Sequence, residues 1–140
     1  MLDISVIILT FNEEIHIKRC LDRIASDVKE VFVIDSYSTD RTLEIAKEYA
    51  NVTILQNKWV NHAVQFNWAL ENPPIHSKWV LRLDADEYLT EELKDEIESR
   101  LPLLEEDITG IIFNFRRVWM GQALRYGMTK LKLLRLFRYG

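Results

Sequence analysis

Three acids fall within four positions in the stretch LRLDADEYL, residues 81 to 89: Asp84, Asp86 and Glu87, directly after an apolar run. Carboxylates this close repel one another unless water, a cation or hydrogen bonds compensate them. A divalent ion of the Mg or Mn kind suits the need, because it takes one or two protein carboxylates and completes its shell with water and substrate phosphates. In an extended segment alternate side chains point the same way, so Asp84 and Asp86 are expected to face one pocket while Ala85 turns aside. Two further polar groups follow apolar runs. Thr10, Asn12, Glu13 and Glu14 come after ISVIIL, and Asp35, Ser36, Ser38 and Thr39 come at the end of VFVID and just after it. Each group has a plain use in capping the next helix, but three of them at strand ends also describe a ligand-binding rim.

Other chemistries of the same acids fit less well. A calcium-binding EF-hand needs a small polar residue at 88, glycine at 89 and glutamate at 95, where this chain has Tyr88, Leu89 and Asp95. A phosphatase of the haloacid-dehalogenase type follows its Asp-x-Asp with x-Thr or x-Val, and Tyr88 stands in that place. Neither G-x-G-x-x-G nor G-x-x-x-x-G-K-[ST] occurs, and Glu13 and Glu14 at the start of the first expected helix would repel a phosphate there. Phosphate bound on this rim needs a cation between itself and the acids.

The elements that must position these groups follow from hydrophobic periodicity. ISVIIL (4–9), VFVID (31–35), VTIL (52–55), KWVLRL (78–83) and ITGIIFNF (108–115) are expected strands. Between them, Asn12 is expected to cap a helix with Ile17, Cys20, Leu21 and Ile24 on one face. Ser38, Thr39 and Asp40 would cap a second helix running to about Ala50. Residues 60–71 read as a third, ending before Pro73 and Pro74, and Thr90 caps a fourth with Leu93, Ile97 and Leu101 on one side. Strand alternating with helix implies an α/β fold with a three-layer, mostly parallel sheet. In such sheets ligands bind beyond the carboxyl ends of the strands. Residues 116–140 admit two readings: KLKLLRLF alternates like a strand, while RYGMTKLKLLRLFRYG could also be a short basic helix.

At 140 residues, 48% hydrophobic and 29% charged, the composition is that of one globular domain. The single cysteine, Cys20, allows no internal disulfide and no cysteine cluster for zinc, which points to a reducing compartment, the cytoplasm by default. No secretory signal is visible and ISVIIL is too short to span a bilayer. Residues 1–115 carry 11 basic against 22 acidic residues, whereas 116–140 carry seven basic residues and no acid. The acidic bulk argues against nucleic acid as a partner. The basic segment is either a solvated face or a contact for phosphate or anionic lipid. Trp119 and Tyr126 among Arg116, Arg117 and Arg125 would suit a lipid-linked acceptor at a membrane surface. His16, His62 and His76 lack metal-ligand spacing, and Trp59, Trp68 and Trp79 are expected at or near the core.

In order and spacing, SVIILTFNEE, VFVIDSYSTDRT and WVLRLDADEYL resemble the opening blocks of a family 2 glycosyltransferase with the GT-A (nucleotide-diphospho-sugar transferase) fold, over residues 4 to about 101. NHAVQFNWAL (61–70), leading into the third block, is similar to the bacterial lipopolysaccharide core glucosyltransferases. The resemblance implies that Thr10, Asn12 and Glu13 line the nucleoside pocket, that Asp35 accepts a hydrogen bond from the base, that Asp84 lies near the ribose and that Asp86 binds the metal on the diphosphate. Asn67 falls in the block that positions nucleotide or sugar, although Gln65 and Asn67 read equally well as helix-surface polar residues. The implied reaction moves a hexose, glucose from a uridine diphosphate donor, to a lipopolysaccharide core or related glycan, with inversion and metal assistance. Its place would be cytoplasmic, at most peripheral at the inner face of the membrane. The family's general base comes well after the metal block on an acidic segment, and no acid follows Asp107 here, so no catalytic base is named. Residues 1–115 are then the nucleotide-sugar-binding domain and 116–140 the start of the acceptor side of a longer enzyme. A catalytically incomplete nucleotide-binding module is the alternative.

Overall fold

The computed structural model describes the backbone of residues 1–116, 118–119, 122–123 and 130–140, and side-chain surroundings for 1–113 and 133–140. The expected lipid-facing set of Trp119, Tyr126, Arg116, Arg117 and Arg125 lies outside the residues whose side chains are described.

Four parallel strands carry the first two thirds of the chain: β1 (Leu2–Thr10), β2 (Val28–Asp35), β3 (Val52–Gln56) and β4 (Trp79–Asp84). The helices between them are α1 (Ile17–Asp22), α2 (Thr42–Ala46) and α3 (His62–Glu71), and α4 (Glu91–Arg100) follows β4. Beyond α4 come β5 (Gly110–Arg116), a two-stranded ribbon of β6 (Val118–Trp119) and β7 (Gln122–Ala123), and β8 (Lys130–Arg138). The main sheet has six strands in the order β3-β2-β1-β4-β8-β5. Of its five pairings, β1 with β2, β1 with β4 and β2 with β3 are parallel, while β8 runs antiparallel to both β4 and β5. The sheet is thus mostly parallel with one reversed strand, and KLKLLRLF belongs to that strand rather than to a basic helix.

Both faces are covered, which explains why β1 reads as an unbroken apolar run rather than an alternating one. Ile4, Val6 and Ile8 point to one side, where Ile17, Cys20 and Leu21 of α1, Ala46 of α2 and Ile97 of α4 meet them. Ile7 points to the other, with Phe32, Ile34, Val80 and Ala69 of α3. Each fully buried aliphatic side chain contributes about 1.5–3 kcal/mol of transfer free energy. Three layers result, with α3 alone on the second face among the described helices.

Two helices start as the capping residues require: Asn61 Oδ1 accepts from Val64 N at 2.9 Å, and Thr90 Oγ1 accepts from Leu93 N at 3.2 Å. The first helix does not start at Asn12. Its first residue is Ile17, and Asn12 stands five positions earlier in the left-handed region at φ 51°, where its side chain has other work. The second helix also stops short of Ala50, at Ala46.

Candidate functional site

Register places the three polar groups on one rim. Thr10 pairs with Asp35 across β1 and β2, and Leu9 pairs with Asp84 across β1 and β4. With neighbouring strands about 4.8 Å apart, Asp35 and Asp84 stand on the order of 10 Å from each other with β1 between them.

The loops after β1 and β2 are laced together by hydrogen bonds that leave few of their polar groups idle. Asn12 N donates to Ser38 Oγ (2.8 Å), Glu13 N to Thr42 Oγ1 (2.8 Å) and Glu14 N to Asp40 Oδ2 (3.1 Å). In return Thr39 N donates to Asn12 Oδ1 (2.8 Å) and Arg41 N to Glu14 Oε2 (3.1 Å). The left-handed backbone at Asn12 turns its amide and its side chain toward the Ser38–Thr39 segment, a conformation that asparagine tolerates better than most residues. The lacing, not helix capping, is therefore the job of Asn12, Ser38 and Thr39, while Asp40 does both: Oδ2 takes Glu14 N and Oδ1 accepts from Thr42 N, the first amide of α2, at 2.9 Å.

Asp35 is the hub of this lattice and is fully buried. Its Oδ1 accepts from Thr10 Oγ1 at 2.8 Å and Ser38 Oγ at 2.6 Å, and its Oδ2 from Ser38 N at 2.8 Å and Gln56 Nε2 at 3.4 Å. Tyr37, the residue between Ser36 and Ser38, is held at φ 59° with its ring exposed. Behind the hub, Gln65 of α3 is also fully buried, donating to Ser36 Oγ (3.1 Å) and to the carbonyl of Asn57 (3.2 Å) and accepting from Asn57 Nδ2 (2.9 Å).

The acids after β4 do not form the extended ladder expected of them. Glu87 N donates to the carbonyl of Asp84 at 2.9 Å, closing a turn over Ala85 and Asp86, and the Glu87 carboxylate folds back to accept from Asp84 N at 2.6 Å. Ala85 is buried in the turn while Asp86 is exposed. Compensation for the clustered charge comes from within the chain. Arg135 of β8 sets Nη1 3.1 Å from Glu87 Oε1 and Nη2 3.2 Å from Glu87 Oε2, with Nη2 3.6 Å from Asp84 Oδ2. Burial pushes the Glu87 carboxyl above its usual range, against the opposing pull of the Asp84 amide and the Arg135 charge. Arg19 of α1 donates to the Asp86 carbonyl at 3.2 Å and lies over the Tyr88 ring at 4.6 Å, with Arg23 at 5.3 Å. The Cys20 thiol points at the Asp84 carbonyl (3.9 Å), and burial first, then nearby Glu87, pushes it up to about 12, so it is a neutral donor and not a nucleophile.

The structure thus brings Thr10, Asn12, Glu13 and Asp35 into one lattice and sets Asp84 and Asp86 in a turn on the same rim. Glu13 also holds His16 Nδ1 at 3.1 Å. Asn67 is not part of either group: two residues on from buried Gln65, it lies on the exposed side of α3. Trp79 is buried as expected, but Trp59 is 42% exposed, edge-on to His62. Sequence reasoning missed Arg135 and the buried role of Gln65. The only available signals were an arginine inside an alternating apolar run and a glutamine four residues before Ala69 on the same helix face.

Among the described residues no three His, Cys, Asp or Glu side chains converge as a ready-made metal centre, and no helix is long and apolar enough to cross a membrane. The donor set nonetheless suits a hard divalent ion. The exposed Asp86 carboxylate has no partner among the described residues, and Asp84 keeps Oδ1 outside its ion pair. One or two carboxylates are what such an ion asks of a protein when phosphates and water supply the rest.

The family model described as "Glycosyl transferase family 2" matches residues 5–138. The chain belongs to glycosyl transferase family 2. An uncharacterized glycosyltransferase of Rickettsia typhi is 41% identical over 98 residues, 70% of this chain and 32% of that protein. Glycosyltransferase SunS of Bacillus subtilis is 37% identical over 102 residues, 70% of this chain and 23% of its own. The lipopolysaccharide core biosynthesis glycosyltransferase LpsC of Rhizobium meliloti is 27% identical over 99% of this chain and 52% of its own length. The chain therefore spans about a third of the first relative it matches and about half of LpsC. Among solved structures, S. aureus TarS superposes with a TM-score of 0.61 at 26% identity, over 73% of this chain and 33% of that one. Glucosyl-3-phosphoglycerate synthase from Mycobacterium tuberculosis, solved with uridine diphosphate, superposes with a TM-score of 0.62 at 24% identity, over 76% and 42%. The fold of this family 2 chain is of the GT-A type.

Proposed function

We propose that the chain is the donor-binding part of a glycosyltransferase that moves a hexose, glucose from a uridine diphosphate donor, to a lipopolysaccharide core or related glycan, with metal assistance and inversion at the anomeric carbon. The observation that carries the reading is the register of β1 with β2 and β4, which sets Asp35 and the Asp84–Asp86 turn on one rim, a nucleoside's width apart. The name of LpsC supports the acceptor class, and the same fold is solved with Mn2+ and uridine diphosphate in the mycobacterial synthase.

In this reading the nucleoside lies over the lattice of Thr10, Asn12, Glu13 and Asp35, whose rigidity fixes the base edge. Asp84 stands toward the ribose, and Asp86, with its exposed carboxylate, holds the ion. When bound, the ion offsets charge growing on the departing diphosphate. Residues 1–115 supply the donor side and 116–140 begin the acceptor side, with a place in the cytoplasm at the inner face of the membrane.

The internal saturation of Asp35 favours a second reading, a nucleotide-binding module without turnover of its own. Calorimetry with uridine diphosphate, with and without Mn2+, tests both. Metal-enhanced binding that disappears in Asp86→Asn supports the donor site; equal binding with and without metal in both proteins removes the role given to Asp86.

A further inference from the structure

The turn at 84–87 carries its own counter-cation. The Arg135 side chain is only 8% exposed, and it is delivered by the reversed strand β8 rather than by any loop of the rim. Its two terminal nitrogens reach both oxygens of Glu87, itself 15% exposed, and one oxygen of Asp84. A two-pronged contact of this kind fixes orientation as well as charge. Together with Arg19 on the Asp86 carbonyl, it cancels two of the three formal negative charges in the turn. One net negative charge is weak bait for a divalent ion in water, and a far smaller obstacle to a diphosphate than three would be.

Resting on the donor-site reading above, we propose that Arg135 is a positioning residue that fixes the order of affinities on the rim: it prevents the acid turn from retaining a divalent ion alone and keeps it receptive to a diphosphate, so that the two arrive on Asp86 together. An ion pair that served only to hold the strands together would affect both ligands in the same direction, through the stability of the turn. A counter-cation affects them in opposite directions, because one ligand is positive and the other negative.

The test uses two probes separately, Mn2+ alone and uridine diphosphate without metal, titrated into the chain by calorimetry. In Arg135→Met, Mn2+ alone should bind about five-fold more tightly, the change a unit charge produces on a divalent ion at roughly 8 Å in a water-like dielectric, while metal-free uridine diphosphate binds more weakly by a similar factor. In Glu87→Gln, which keeps the shape and removes one negative charge, both shifts should reverse sign. Arg135→Lys should lie near the parent on both probes. Circular dichroism melts establish that each variant is folded, and Glu87→Gln carries the test if Arg135→Met does not fold. Parallel shifts of the two probes, or no shift in a folded variant, overturn the proposal. If Asp86→Asn leaves the Mn2+ enhancement of uridine diphosphate binding unchanged, the donor-site reading itself is wrong and the inference falls with it; if Asp86→Asn abolishes that enhancement but the opposite shifts are missing, only the inference falls.

Discussion

Asp35 offers the sharpest test of how the rim is built. Its carboxylate is fully buried and takes four hydrogen bonds, two at each oxygen. The donors are not equivalent. Thr10 and Ser38 offer hydroxyls, which can rotate and become acceptors, and both meet Oδ1. Ser38 N and Gln56 Nε2 can only donate, and both meet Oδ2. Asparagine can therefore take the place of Asp35 with its amide nitrogen on the hydroxyl side and its oxygen on the other, exchanging charge-assisted bonds for neutral ones at a cost of about 1–2 kcal/mol. Alanine removes all four acceptor contacts and leaves the Ser38 amide without its partner in a buried site, for about 3–4 kcal/mol. At roughly 4 °C per kcal/mol for a chain of this size, melting temperatures should fall by about 4–8 °C and about 12–16 °C respectively. Thermal and urea melts followed by circular dichroism read both numbers. Equal losses for the two variants, or an Asp35→Ala loss below about 1 kcal/mol, would show that the carboxylate does not organise the loops.

Gln65→Leu keeps the volume of a fully buried side chain but strands Ser36 Oγ and Asn57 Nδ2; urea unfolding should register a loss of about 1–3 kcal/mol. The pH profile should show acid lability. Burial alone would raise the Asp40 carboxyl, but bonds from Thr42 Oγ1, Thr42 N and Glu14 N hold it below its usual range, and Ser5 and His76 do the same for Glu30. Groups depressed in this way give stability that is present above their ordinary values and lost as pH falls through the folded ones, so melting temperature should drop below about pH 4. Asp40→Asn should lose less over that range than the parent chain. Glu87 acts in the opposite sense, since its raised folded value means stability lost as pH climbs through it; Glu87→Gln should flatten that limb of the curve.

The parallel half of the sheet was legible because β-branched apolar runs buried on two faces leave little other choice, and Thr90 sits where a helix start needs it. What escaped depends on contacts between distant residues. Asn12 has the composition of a cap, but its left-handed backbone commits it to Ser38 and Thr39 instead. Asp84, Ala85 and Asp86 would alternate if the strand continued, and it stops because Glu87 offers its amide and its carboxylate to Asp84. The alternation of KLKLLRLF suits a strand, yet only its antiparallel pairing with β5 and β4 decides it and shows which arginine meets the acids.

The reversed strand has a geographic consequence. Because β8 runs opposite to β4 and β5, and Arg116 is the register partner of Lys130, the chain leaves β5 and re-enters β8 at the acid-bearing end of the sheet. The basic residues Arg116 and Lys130 therefore stand at the same end of the sheet as Asp84. Such an arrangement makes long-range attraction at that end of the molecule sensitive to ionic strength, over distances of about 8 Å in physiological salt.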